Sequence, residues 1–162
     1  MSSEHPEGQL PYLRDALGRD CVAMKFVDGW TRAYAGDGKR NEDWFGWNTD
    51  VLAPFEGKVE DVYINPKTNE PGMIDHSRSS SIVFSREDGV KVVYAHVREV
   101  GVYIGDAVKA GDVVCRVGNN GYSRHPHIHV GAWRGKEPLQ IRFDLRAMGE
   151  QLKQLGDEEY LL

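Results

Sequence analysis

The chain has 162 residues, 40% of them hydrophobic and 28% charged, with a formal net charge of −5. That length fits one domain with extensions, and an acidic balance argues against non-specific nucleic-acid binding, which needs a basic face. No apolar run approaches the roughly 20 residues of a membrane-spanning helix, and two cysteines are too few for a disulfide framework.

In chain order, residues 1–29 read as a polar N-terminal arm with one short amphipathic piece, in which Leu10, Leu13 and Leu17 fall at helical spacing. The stretch lacks a basic region followed by an apolar core of the secretory type, so a cytoplasmic location is expected. Residues 30–48, "WTRAYAGDGKRNEDWFGWN", hold three tryptophans and no steady period, the mark of an ordered loop packed on something. Short strands then follow around 51–64, 80–87, 90–97, 106–118 and 127–135, separated by Gly, Pro, Asn and Asp. Within "REDGVK", Asp88-Gly89 between two apolar runs predicts a hairpin. The tail, 146–162, is a short helix candidate broken by glycine. The fold class expected is mainly β, one antiparallel sheet or barrel-sandwich domain over 30–145 with short terminal helices. The aromatic loop and residues 65–79 are expected to wall a groove.

The chemistry concentrates in "RHPHIHV", residues 124–130, which holds three of the six histidines. On a strand, residues i and i+2 share a face, so His127 and His129 point the same way, with His125 uncertain because of Pro126. Imidazole is the commonest metal ligand and the usual acid/base group near neutral pH. His5 reads as a solvated residue and His76 as a loop residue. The "GDEEYLL" run reads as a solvated tail.

Four stretches in order resemble the lysostaphin/LytM-type zinc endopeptidases: "VLAPFEGKV" (51–59), "VVYAHV" (92–97), "VGVYIGDAVKAGDVVCRVGNNGYS" (100–123) and "SRHPHIHVGAW" (123–133). The resemblance implies zinc as cofactor, with His129 as a ligand and His127 and His96 as catalytic histidines beside it. The family's other two ligands form a His-x-x-x-Asp segment ahead of the first stretch. Here the aspartate corresponds to Asp43, but its histidine falls at Lys39, whose ammonium cannot ligate; Asn41 offers an amide oxygen instead. The implied activity is zinc-dependent hydrolysis of peptide bonds, with a peptide or peptidoglycan fragment as partner and no nucleic acid or membrane. The alternative is a catalytically degenerate domain of the same fold that binds or regulates. A weaker likeness to biotinyl/lipoyl and phosphotransferase carrier domains lacks an attachment lysine in a hairpin.

Overall fold

A computed structural model describes residues 2–4, 16–146 and 149–150. Its strands are β1 (Ser2–Glu4), β2 (Arg19–Cys21), β3 (Lys25–Val27), β4 (Trp30–Arg32), β5 (Asp50–Leu52), β6 (Gly57–Tyr63), β7 (Ser81–Ser85) and β8 (Val90–Ala95). They continue as β9 (Val97–Arg98), β10 (Ala107–Val108), β11 (Val113–Val117), β12 (Ile128–Arg134) and β13 (Glu137–Pro138), with one 3₁₀ turn at Asn41–Asp43. The main sheet runs β1-β2-β12-β8-β7-β6-β10, with β13 on β12; β5-β11-β9 form a second sheet and β3-β4 a ribbon. Every pairing is antiparallel, and no barrel closes.

Strand alternation explains the layers. Along β8, Val90, Val92 and Tyr94 are buried while Lys91, Val93 and Ala95 face the other way. Ile82 and Phe84 of β7 and Val130 and Ala132 of β12 join the buried side, meeting Val114, Cys115 and Val117 of β11. Phe84 and Ile82 are wholly buried, each contributing about 1.5–3 kcal/mol by leaving water. Burial in this core pushes the Cys115 thiol up to about 12. The Asp88-Gly89 turn forms as expected, with Gly89 at φ +81° and Arg86 N–H donating to Val90 O at 2.9 Å.

Two expectations change in detail. The 51–64 segment divides between sheets, because Ala53 N–H pairs with Asp112 O and the chain turns through Pro54 before β6 begins. Residues 19–21, read as part of the polar arm, are a strand of the main sheet between β1 and β12. The amphipathic piece around Leu10 and Leu13, His5 and nearly all of the 146–162 tail lie outside the described residues.

Candidate functional site

The unburied face of the main sheet is the floor of an open cavity of about 860 Å³. Register builds that floor. Asp20 on β2 stands opposite His129 on β12, His129 opposite Ala95 on β8, and Ala95 opposite Ser81 on β7. Directly opposed residues in a sheet share a face, and all four line the cavity. The next row, Gly131, Val93 and Val83, continues it. Small side chains in both rows leave depth for a ligand. Ser77, Arg78 and Ser79 of the 65–79 segment form one wall, whereas no residue of 30–48 is among the described lining residues. Tyr122, which His76 touches with ring centroids 5.4 Å apart, lines the cavity too, as does Trp133.

His96, His127 and His129 meet at one end. The His96 and His127 rings lie 4.6 Å apart between centroids, and those of His96 and His129 lie 6.4 Å apart. All three side chains are buried. The position of His96 depends on a left-handed backbone, φ +64°, at the junction of β8 and β9. Gly118 permits that junction: a Cβ there would come within 2.6 Å of His96 O.

Backbone carbonyls set the tautomers. A carbonyl oxygen only accepts, so His96 Nδ1–H donates to Asn120 O at 2.9 Å and His127 Nδ1–H to His125 O at 2.8 Å. The Nε2 atom of each ring then points away from its carbonyl partner. Burial foremost, then the neighbouring His127, holds His96 down to about 3, so the ring is neutral near pH 7.

Residues 118–123, "GNNGYS", hold this arrangement. Asn120 accepts from Ser80 N–H at 2.7 Å and donates to Val97 O at 2.9 Å. Ser123 Oγ donates to Asn119 Oδ1 at 2.8 Å and lies 3.3 Å from His127 Nδ1. These polar residues are buried, and sequence reading assigned them no role. Their only signal was a pair of asparagines between glycines.

Asp20 was also missed. Its Oδ1 lies 2.9 Å from His129 Nδ1 and 3.6 Å from His127 Nε2. Asp43 and Asn41 are occupied elsewhere. Asp43 caps the 3₁₀ turn, accepting from Arg40 N–H at 3.0 Å with the Arg40 guanidinium 3.7 Å away. Asn41 donates to Asn69 O at 2.7 Å and accepts from Asn119 at 2.9 Å. Neither lines the cavity. Lys39 pairs with Asp37 at 2.8 Å. The aromatic loop reaches the site's edge only through Trp44, which stacks on His125 at 4.6 Å between centroids and 6° between planes.

A carboxylate oxygen only accepts, so the 2.9 Å Asp20–His129 contact is a hydrogen bond in which His129 Nδ1–H donates to Asp20 Oδ1. Among the described residues no group of three or more His, Cys, Asp or Glu side chains is arranged to hold a metal ion.

The model of peptidase family M23 matches residues 43–141, more than half of the chain. The glycyl-glycine endopeptidase ALE-1 of Staphylococcus capitis and lysostaphin of Staphylococcus simulans are each 36% identical over 82 residues, half of this chain. The chain spans only 20% and 15% of those two relatives' lengths. Among solved structures, LytU is 26% identical with a TM-score of 0.45, covering 55% of this chain and 56% of that one. The catalytic domain of lysostaphin from Staphylococcus simulans is 24% identical with a TM-score of 0.46, covering 66% of this chain and 81% of that one. With the family model spanning both His96 and the His127–His129 strand, the chain belongs to peptidase family M23.

Proposed function

We propose that the chain hydrolyses peptide bonds in cross-links of the peptidoglycan kind, taking an extended peptide across the small-residue floor of the cavity. The observation that carries this reading is the meeting of His96, His127, His129 and Asp20 at one end of that floor. ALE-1 is named for glycyl-glycine cleavage, which suits a floor that includes Ala95 and Ser81.

His129, the ligand position that the family resemblance implies, would face the metal. When bound, the metal supplies Lewis acidity, polarising the scissile carbonyl and making a water acidic near neutral pH. The remaining work falls to this chain's own groups. His127 and His96, both with Nδ1–H fixed on carbonyls, offer Nε2 to take a proton from water and return it to the departing amine. Burial of both rings excludes bulk water from that exchange. Arg124 and Tyr122 on the rim meet the polar backbone of the peptide.

The test is incubation with purified peptidoglycan and with synthetic cross-link peptides, zinc added or chelated, followed by mass spectrometry of released fragments and assay of new amines. Zinc-dependent release is expected. A second reading, a non-hydrolytic peptide-binding domain, is favoured by the described residues holding no group of three or more His, Cys, Asp or Glu arranged for a metal ion. Saturable peptide binding with no new amine under any metal condition would establish it and overturn the first.

A further inference from the structure

We propose that Trp44 is a positioning residue for His127: its indole, stacked on the His125 ring, fixes the carbonyl that holds the His127 imidazole in place. The aromatic loop thereby gains a part in the hydrolysis proposed above, and only the kinetic consequence rests on that reading.

The contacts begin within the loop. Trp44 Nε1–H donates to Gly38 O at 3.0 Å, and the Tyr34 ring packs on the indole with centroids 4.9 Å apart. Tyr34 and Trp44 also form a β-bridge, and Phe45 N–H donates to Ala33 O at 3.0 Å. The indole is thus fixed by its own loop before it meets the site. It then lies on the His125 ring, 4.6 Å between centroids and 6° between planes, a parallel stack of two flat faces. His125 precedes Pro126, whose side chain is wholly buried. A residue before proline is kept to extended backbone, so the ring and the carbonyl of His125 move together. That carbonyl receives His127 Nδ1–H at 2.8 Å, and the His125 ring itself lies 5.2 Å from the His127 ring between centroids. A carbonyl oxygen only accepts, so this donation holds whichever form Nε2 takes. Trp44 does not line the cavity, whereas His125 does, so the indole acts on the site through His125. His96 has a separate anchor in Asn120 O, at 2.9 Å, and supplies an internal reference.

The experiment follows the imidazole N–H protons of the full chain by ¹⁵N-edited NMR in wild type, Trp44→Leu, Trp44→Phe, His125→Ala and Trp30→Leu. Leucine keeps apolar bulk without a flat face, and phenylalanine keeps the face. His125→Ala removes the other half of the stack while keeping the carbonyl, so the test stands even where Trp44→Leu fails to fold. Trp30, 72% exposed on β4, controls for loss of a tryptophan as such. His127 Nδ1–H is expected to exchange with water about tenfold faster in Trp44→Leu and in His125→Ala, while His96 Nδ1–H exchanges as in wild type. Trp44→Phe and Trp30→Leu should match wild type at both rings. On a peptide that wild type cleaves, Trp44→Leu is expected to lose kcat by about tenfold with KM little changed, and Trp44→Phe to recover it. Unchanged exchange at His127 would overturn the positioning role, and so would equal acceleration at His127 and His96, the mark of a generally loosened site. Absence of cleavage by wild type would overturn the hydrolytic reading alone, because the exchange comparison needs no turnover. Circular dichroism and melting of each variant separate a displaced ring from loss of the fold.

Discussion

His96 and Asn120 hold each other in place: the ring donates Nδ1–H to the Asn120 carbonyl at 2.9 Å, while the Asn120 side chain joins Ser80 N–H to Val97 O. The buried His96 ring is thereby tied to the residue before β7 and to β9 through one buried amide.

Replacing Asn120 by Ala leaves Ser80 N–H and Val97 O without that partner. Each buried unsatisfied group costs about 1–3 kcal/mol, so a loss of a few kcal/mol in urea unfolding is expected. Turnover of any cleaved peptide should fall beyond the effect of stability, measured well below the melting temperature. A variant as stable as wild type would show that water or rearrangement replaces the amide.

The His-x-His strand should divide into two phenotypes. His129→Ala is expected to lose metal in equilibrium dialysis, since it removes the ligand that the family resemblance implies. His127→Ala should retain metal and lose turnover by about 10²–10⁴-fold, the usual worth of a positioned acid/base group. Equal metal loss in both variants would contradict that division.

Acid should destabilise the protein partly through His96. An unfolded histidine titrates near 6.5, whereas burial and then His127 hold the folded ring at about 3. Between those values the unfolded chain binds the extra proton. The stability involved is therefore whole above about pH 6.5 and is lost as pH falls toward 3, at no more than about 1.4 kcal/mol per pH unit. Denaturant melts at pH 7, 5.5 and 4.5 in chelator should give a shallower dependence for His96→Gln; parallel curves would exclude this source.

Gly118→Ala tests the close approach beneath His96. Its Cβ would meet His96 O at 2.6 Å and the Arg98 side chain at 3.2 Å. Backbone must move, and overpacking of this kind costs about 1–3 kcal/mol. Amide shifts centred on His96, Val97 and Arg98 are expected in NMR spectra; shifts confined to residue 118 and its neighbours in sequence would count against the contact.

The legible parts of this protein are those with local periodicity. Alternation marked β8 and β12, Asp-Gly marked the turn between β7 and β8, and period two put His127 and His129 on one face. The illegible parts depend on partners distant in sequence. Arg19–Cys21 is too short to show a period, and Asp20 acquires meaning only by pairing with a strand 109 residues later. Asn119 and Asn120 sit in an apparent turn sequence, yet the fold buries them as a clamp. Asp43 fits a spacing pattern, but Arg40 and the 3₁₀ turn supply nearer local partners for its carboxylate.

Asp20 reaches the histidines on a three-residue strand ahead of the family-matched region. A domain trimmed to residues 43–141 would keep all three clustered imidazoles and discard the only carboxylate that touches two of them among the described residues. Such a fragment would resemble its relatives in sequence while carrying a site of different charge, because β2 is what brings the carboxylate to the imidazoles.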